Sequence, residues 1–324
     1  MNTPIAIIAG EPNSISSEII FKSWVLIKKF THRPVFIIGN IRLLNLQKRK
    51  MKFNINIKKI DKNFRYKDLL GNKIPVYDVN YNQKKIFQKI TIGSNNYIFE
   101  CFDIAIKLVN NKKILGFINC PVYKETLLKK KYKGITEFLS KKSGTKDNEV
   151  MLIYNKQLSV SPLTTHIPIS EVSAKIKKID IVKKVEIINN FYKKVIRKKP
   201  KIAILGLNPH NFSSKKNSEE EKIIIPAIKI IKNKGINITG PIPSDASFAI
   251  YKKYKFNVIF GMYHDQVLSP FKALFKYDAI NITLGLPYIR MSPDHGVGEN
   301  IVGKKVANPK SLVECIKFFN LIKS

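Results

Sequence analysis

The order of apolar segments along this 324-residue chain constrains its fold more than any other feature. Strand-length apolar runs recur, at residues 5–9, 35–38, 114–118, 150–153, 202–205, 258–260 and 280–284. Segments with helical periodicity lie between them, most clearly at 170–195, 219–232 and 309–322. Strands that alternate with helices indicate an α/β protein with a largely parallel sheet. The lysine- and asparagine-rich stretch 48–88 has weak periodicity, and we interpret it as a surface excursion.

Length and composition exclude several classes of protein. At roughly 100–200 residues per domain, the length predicts two domains. A hydrophobic content of 44% excludes intrinsic disorder. No run of about 18 uncharged apolar residues is present, so no membrane span is expected. The first ten residues lack a basic stretch before their apolar run and are typical of a strand rather than a signal peptide. Cys101, Cys120 and Cys315 form no CxxC pair, which favours a reducing, cytoplasmic location.

The net charge of +35, from 58 Lys+Arg against 23 Asp+Glu, raises the question of a nucleic-acid partner. Lysines are spread from Lys22 to Lys323, with a mild excess at 124–146, whereas a dedicated binder concentrates them in a stripe or tail. The accompanying abundance of Ile and Asn is what an A+T-biased genome would impose on surface positions. We therefore expect nucleic-acid binding to be at most nonspecific, and a mild attraction for anionic substrates and cofactors.

Three of the five histidines share one setting in the sequence. His166, His210 and His264 each follow the carboxyl end of a predicted strand. In open α/β sheets, ligands bind at that edge. Three imidazoles that converge there would bind a divalent metal and leave positions open for water or substrate. For any one of these histidines alone, an ordinary loop position without a ligand role would be the simpler interpretation.

The segments around these histidines resemble those of the 4-hydroxythreonine-4-phosphate dehydrogenase family, the NAD-dependent enzymes of vitamin B6 synthesis. The resemblance spans nearly the whole chain and rests on separated motifs in the family's order. These motifs are GEPNSISSE (10–18), CPVYK (120–124), GITEFL (134–139), TTHIP (164–168), GLNPH (206–210), GPIPSD (240–245), MYHDQ (262–266) and NITLGLPYIR (281–290). Any one motif is weak evidence, whereas the ordered set is specific.

The resemblance implies two α/β/α domains with a cleft between them, as in isocitrate and isopropylmalate dehydrogenases. The first domain would comprise residues 1–125 and approximately 295–324, and the second would comprise 126–294 and carry the dimer contacts. The family is a homodimer with a shared active site, in which one of the three metal-binding histidines comes from the partner. Those ligands fall on His166, His210 and His264. Three imidazoles suit zinc or cobalt better than magnesium, and the sequence does not choose among zinc, cobalt, magnesium and manganese.

The resemblance also implies a reaction and a set of residues for it. The substrate 4-phosphohydroxy-L-threonine would be oxidised with NAD or NADP, and the resulting 3-oxo acid would lose carbon dioxide to give 3-amino-2-oxopropyl phosphate. The implied substrate-binding residues are Thr136, Lys272, Asn281 and Arg290. Arg and Lys suit a substrate that carries a phosphate and a carboxylate. Asp245 and Lys124 are the candidate catalytic residues, and a metal-bound water is the other candidate for the base.

No GxGxxG motif follows a strand, so an ordinary Rossmann cofactor site is not expected. The segment DHGVGENIVGK (294–304) instead resembles the loop that wraps the adenosine half of the dinucleotide in isocitrate and isopropylmalate dehydrogenases. His295 and Gly296 are therefore the cofactor-binding candidates, with Asn300 as a third. A glycine-rich turn before the last helix is the alternative interpretation.

The chain departs from the family pattern at several positions. Ile135 stands where the family has a substrate-contacting histidine, and Ser14, Ser16 and Cys120 replace glycines. One explanation is drift in a biased genome with the reaction retained, which we favour. Another is a related substrate, such as erythronate 4-phosphate or a similar four-carbon phosphorylated hydroxy acid. The third is a degenerate, non-catalytic member of the family, which the retained histidines argue against.

Overall fold

A computed structural model of the chain describes residues 2–27, 31–128, 132, 134–145, 148–212, 217–276 and 278–322. The strands, in chain order, are β1 Ile5–Ile8, β2 Val35–Gly39, β3 Ile57–Ile60, β4 Ile74–Asp78, β5 Gly116–Asn119, β6 Val150–Tyr154, β7 Ser159–Thr164, β8 Ile202–Leu205, β9 Ile238–Ile242, β10 Val258–Tyr263, β11 Ile280–Leu284 and β12 Ile289–Pro293.

The α-helices are α1 Ser16–Ile27, α2 Ile41–Lys50, α3 Asn95–Asn110, α4 Lys124–Leu128, α5 Ile135–Lys142, α6 Val172–Lys175, α7 Lys178–Phe191, α8 Ile225–Asn233, α9 Ser244–Tyr254, α10 His264–Phe275 and α11 Lys310–Asn320. Asn40 caps α2, because its side-chain oxygen accepts a hydrogen bond from the Leu43 main-chain N–H at 2.9 Å. The α7 helix continues as a π turn over Tyr192–Ile196.

The chain divides into two units, and the first combines Met1–Ile135 with Tyr288–Ser324. Its strands are ordered β3-β4-β2-β1-β5-β12, and each neighbouring pair is parallel. The central strand β1 is fully buried, as expected for a parallel sheet with covered faces. Helix α3 packs on β1, β2 and β5, and α1 packs against α2 and α11.

The second unit is the continuous segment Thr136–Pro287. Its strands are ordered β11-β6-β7-β10-β8-β9; β6 is antiparallel to both neighbours, whereas β7, β10, β8 and β9 are mutually parallel. Helix α10 packs on β7 and β10, and α9 packs on β8. Its core contains residues such as Val160, Ala203, Ile259 and Phe271, which are fully buried. The carboxyl ends of four parallel strands consequently lie at one edge of this sheet.

The predicted α/β class with a largely parallel sheet is confirmed, and all seven predicted strands form. The interpretation of residues 48–88 as a surface excursion is wrong, because β3 and β4 within it belong to the first unit's sheet. The unit boundaries lie at 135/136 and 287/288, whereas the sequence places them near 125 and 295. Among the described residues, no helix has both the length and the apolar character required to cross a membrane.

Candidate functional site

A predicted site residue follows each of four neighbouring parallel strands of the second unit, one to five residues after the strand ends. His166 follows β7, His264 follows β10, His210 follows β8 and Asp245 follows β9. The order of these strands in the sheet, β7-β10-β8-β9, sets the order in which the four segments leave its carboxyl edge. The sequence predicted that each histidine follows a strand, but the adjacency of the strands comes from the topology.

His166 and His264 are the two histidines that the structure brings together. Their ring centroids lie 5.9 Å apart, with 39° between the ring planes. The register pairs Thr164 with Tyr263, and the Thr164 hydroxyl donates to the Met262 carbonyl at 2.8 Å, which holds the two strand ends together. About a third of each imidazole side chain is exposed, so both can reach a ligand. Two neighbouring imidazoles supply nitrogen donors of the kind that zinc and cobalt prefer.

Carboxylates flank both rings of this pair. His264 Nδ1 lies 2.8 Å from Asp265 Oδ1, and His166 Nδ1 lies 3.8 Å from Glu137 Oε1. A carboxylate hydrogen-bonded to one ring nitrogen is the arrangement that orients a metal-binding histidine. Of these two contacts, that of Asp265 with His264 is short enough for such a bond, whereas the 3.8 Å from Glu137 to His166 is too long. The ammonium of Lys184 donates a hydrogen bond to the Leu163 carbonyl of β7 at 2.8 Å and so helps to hold the end of this strand. Burial lowers the pKa of Lys184. Sequence reasoning assigned Glu137 and Lys184 no role.

His210 lies in a turn whose shape is set by buried carboxylate contacts. Glu220, 1% exposed, accepts hydrogen bonds from the main-chain N–H groups of Leu207 and Asn208, both at 2.8 Å. His210 has a φ of 52°, in the left-handed region that non-glycine residues rarely adopt. His166 has a φ of 50°. Such backbone conformations persist where surrounding contacts determine them, and they cluster at functional sites.

The three histidines do not form a three-donor site within one chain. Across the described residues, no group of three or more His, Cys, Asp or Glu side chains is placed to hold one metal ion. His166 and His264 therefore fit part of a metal site, and a further donor is needed to complete it.

Gln266 connects three segments of the same edge. Its Oε1 accepts from the Met262 N–H at 2.6 Å, and its Nε2 donates to the Gly206 carbonyl at 2.7 Å and to the Ser244 hydroxyl at 2.6 Å. These contacts tie the ends of β10 and β8 to the first residue of α9, next to the exposed Asp245. In the sequence, Gln266 is the last residue of the MYHDQ motif, and the motif alone predicted no role for it.

The predicted substrate residues of the second unit occupy different environments. Thr136 and Thr283 share a hydroxyl hydrogen bond at 3.3 Å. Asn281, on β11, has a buried side-chain oxygen that makes no hydrogen bond within the described residues. A buried carbonyl oxygen without a partner is costly unless a ligand satisfies it. Lys272 is an exposed residue of α10.

Lys124 and Arg290 belong to the first unit. Lys124 is the exposed first residue of α4. Arg290, on β12, is only 3% exposed, and its Nε donates to Asn119 Oδ1 at 2.7 Å. This internal contact stabilises the pairing of β12 with β5, and a substrate contact by Arg290 stays a prediction.

The cofactor candidates His295, Gly296 and Asn300 also lie in the first unit, on the segment after β12. A Cβ built on Gly296 would meet no atom within 4 Å, so there is open space beside this backbone. Asn300 is exposed in the turn Glu299–Ile301. A glycine with open space lets a ligand lie against the main chain, so the segment fits a dinucleotide in this respect.

Comparison with known proteins adds to this geometry. The sequence profile described as "Pyridoxal phosphate biosynthetic protein PdxA" matches residues 31–319. A 4-hydroxythreonine-4-phosphate dehydrogenase from Sulfurihydrogenibium sp. is 37% identical, over 98% of each chain. A protein from Oceanobacillus iheyensis assigned as a D-threonate 4-phosphate dehydrogenase is 32% identical, over 96% of this chain and 95% of its own.

Solved structures agree with these matches. The 4-hydroxythreonine-4-phosphate dehydrogenase of Klebsiella pneumoniae superposes with a TM-score of 0.85 at 28% identity, covering 98% of this chain and 97% of that one. Isocitrate dehydrogenase from Methylococcus capsulatus shares the fold alone, with a TM-score of 0.50 at 11% identity, over 96% of this chain and 82% of that one. The expected isocitrate dehydrogenase-like fold class is confirmed. The chain belongs to the PdxA family of pyridoxal phosphate biosynthetic proteins.

Proposed function

We propose that this chain is a divalent-metal- and NAD(P)-dependent dehydrogenase that oxidises 4-phosphohydroxy-L-threonine. The observation that carries the proposal is that His166, His264, His210 and Asp245 follow four adjacent strands of one sheet, in a member of a family with relatives named 4-hydroxythreonine-4-phosphate dehydrogenase. The product would be 2-amino-3-oxo-4-phosphooxybutanoate. Its carboxylate is beta to a ketone, so it loses carbon dioxide as the electron pair of the broken C–C bond moves onto the carbonyl. The enolate that results takes up a proton from water at the carbon that carried the carboxylate, which gives 3-amino-2-oxopropyl phosphate.

His166, His264 and His210 would hold the metal, and His295, Gly296 and Asn300 would contact the dinucleotide. When bound, the metal would supply a Lewis acid for the substrate hydroxyl, and the nicotinamide would supply the hydride acceptor. A second copy of the chain supplying one of the donors would explain why one chain holds no three-donor group among its described residues. The homodimer is thus part of the proposal.

The remaining side chains would bind and orient the substrate. Thr136, Lys272, Asn281 and Arg290 would contact its polar groups; the cationic pair suits the phosphate and the carboxylate. Asp245 is the base candidate on the same sheet edge as the histidines, and Lys124 is the second candidate. We place the enzyme in the cytoplasm, in keeping with the three buried free cysteines.

The direct test is reduction of NAD or NADP with 4-phosphohydroxy-L-threonine, with zinc, cobalt, magnesium or manganese added in turn. We expect turnover that depends on metal and that is lost in His210→Ala. Failure of the wild-type protein to turn over, with any of these metals and either dinucleotide, would refute the proposal.

A second candidate substrate is a four-carbon phosphorylated hydroxy acid without the amino group. Ile135, 5% exposed at the start of α5, removes the family's histidine contact, and a relative at 32% identity is named for D-threonate 4-phosphate. D-threonate 4-phosphate and erythronate 4-phosphate should be assayed beside 4-phosphohydroxy-L-threonine. If either is preferred, Ile135→His should shift the preference back toward the amino acid, and Ile135→Leu should not.

A further inference from the structure

Glu18 and Lys22 lie one helical turn apart on α1 and hold the segment 305–307, which directly follows the candidate cofactor segment 294–304. Glu18 is 1% exposed. Its Oε1 accepts from the Ala307 main-chain N–H at 2.7 Å, and its Oε2 accepts from the Lys305 N–H at 3.1 Å. The ammonium of Lys22 lies 2.8 Å from Glu18 Oε1. A buried carboxylate is thereby neutralised and hydrogen-bonded at both oxygens.

Lys22 binds the same two residues through their carbonyls. Its ammonium donates to the Lys305 carbonyl at 2.7 Å and to the Ala307 carbonyl at 2.8 Å. The pair therefore satisfies both the N–H and the C=O of Lys305 and of Ala307. Lys305 has a φ of 62°, a backbone conformation that side-chain-bearing residues adopt rarely. These contacts determine the path of the chain where it leaves the candidate cofactor segment.

Ile15, the residue before α1, contacts the first part of the candidate cofactor segment 294–304. The Ile15 N–H donates to the Val297 carbonyl at 3.0 Å. Gly298 has a φ of 61°, and a Cβ there would lie 2.8 Å from Ile15 Cγ2. Residues 297–307 are thus fixed at one end by Ile15 and at the other by Glu18 and Lys22. The motif at 10–18 ends in this glutamate, which the proposed reaction does not use.

We infer that Glu18 and Lys22 are positioning residues that preorganise the segment 295–300 for the dinucleotide. This inference rests on the proposed cofactor role of His295, Gly296 and Asn300. Neither Glu18 nor Lys22 belongs to the segment 295–300. Each acts on it through its contacts with the main chain of 305–307. Because a preformed loop has less freedom to lose on binding, its ordering favours affinity for the dinucleotide rather than the chemical step.

The test is NADH and NADPH binding by nucleotide fluorescence, without substrate, for the wild type and for Glu18→Gln. Glutamine keeps one acceptor but turns an NH₂ group toward a main-chain N–H or Lys22. We expect Kd to rise about tenfold, the loss typical of a hydrogen bond to a charged group. Deuterium uptake at the amides of Lys305 and Ala307 should increase. Values of kcat, and of KM for the phosphorylated substrate, should change by less than about twofold.

Two further variants make the result decisive. Lys22→Met removes the carbonyl contacts and also the cation that neutralises the buried Glu18 carboxylate, so we expect Kd to rise by about tenfold as well. It also decides the matter if Glu18→Gln does not fold. Glu186→Gln, which breaks the ion pair with Lys234 in the second unit, is the matched control and should bind as the wild type does.

Unchanged dinucleotide affinity in Glu18→Gln and Lys22→Met, with increased deuterium uptake at 305–307, would make the contacts merely structural and overturn the inference. A wild-type protein that binds neither NADH nor NADPH would overturn the proposed cofactor role and the inference with it. The first failure is seen in the variants alone, and the second in the wild type, so the two are distinguishable.

Discussion

The imidazoles of His166 and His264 lie side by side, 5.9 Å between ring centroids, because β7 and β10 are adjacent parallel strands that end at the same level. Each ring has a carboxylate near its Nδ1, from Glu137 and Asp265. At His264 the carboxylate of Asp265 is within hydrogen-bond distance of Nδ1, so Nε2 is the nitrogen of that ring available to bind a ligand.

Replacement of either histidine by alanine should abolish tight binding of zinc or cobalt. Loss of one imidazole donor removes a ligand that the remaining side chains cannot replace, so activity should fall at least about 100-fold. Metal content after dialysis and turnover measure the two effects. His32→Ala, at an exposed position of the first unit, is the control and should retain the metal. Retained metal in both His166→Ala and His264→Ala would contradict the assignment.

Asn281→Ala tests the unsatisfied oxygen on β11. Because Asn281 Oδ1 makes no hydrogen bond within the described residues, its removal should cost little stability. If the substrate supplies the missing donor, KM for the phosphorylated substrate should rise about tenfold. Steady-state kinetics and thermal unfolding should be compared with those of Asn237→Ala, at an exposed position of the same unit. A fall in Tm with KM unchanged would argue for a structural role.

Gln266→Leu should destabilise the second unit by about 3 kcal/mol, since it leaves the Met262 N–H and the Gly206 carbonyl buried without their partner. Urea titration measures the free energy of unfolding. Gln157→Leu makes the same chemical change at an exposed position and should remain within about 0.5 kcal/mol of the wild type. Equal changes in the free energy of unfolding for the two substitutions would show that the three hydrogen bonds of Gln266 do not stabilise the second unit.

The buried carboxyl of Glu11 should make the stability of the first unit depend on pH. Burial raises the pKa of this carboxyl above its ordinary value of 4.5, against the lowering effect of hydrogen bonds from Ser94 and Asn13. The folded state therefore holds the proton more tightly than the unfolded state, and Glu11 lowers the free energy of unfolding as pH rises from 4.5 through the folded pKa.

The side chain of Glu11→Gln does not titrate. Its amide can still accept a hydrogen bond from Asn13 and donate one to the Ser94 hydroxyl. Its free energy of unfolding, relative to the wild type, should increase between about pH 4 and pH 7. Urea titrations across this range measure the difference. Glu171→Gln, an exposed control, should show no such trend. A difference between Glu11→Gln and the wild type that stays constant with pH would contradict the prediction.

The parts of the fold that the sequence predicted are those where burial shapes the residue pattern. β1 and β8 are buried along their whole length, so they are continuous apolar runs. β3 was missed because it is an edge strand in which Lys58, half-buried, and Lys59, exposed, interrupt the apolar pattern. β4 was missed with it, since it lies in the same lysine-rich stretch.

The candidate site likewise has one part that the sequence predicted and one part that it did not. A histidine after a strand is visible in one sequence, whereas the order β7-β10-β8-β9 is a property of the sheet and has no local signal. The contacts of Glu18 with Lys305 and Ala307 join residues nearly the whole chain apart, so spacing could not have predicted them. Motif resemblance named candidate ligands, and it gave no role to Gln266, Glu220 or Lys184.

The interrupted first unit has a consequence for synthesis on the ribosome. Thr136–Pro287 is continuous, so its parallel strands can pair as soon as that segment has emerged. The first unit must wait for β12 and α11, because Tyr288–Ser324 supplies the strand beside β5 and a helix that packs against α1. Until then one edge of β5 has its main-chain N–H and C=O groups without the β12 strand that pairs with them. We expect the nascent first unit to be the part that depends on chaperones, and the histidine-bearing edge to be assembled before it.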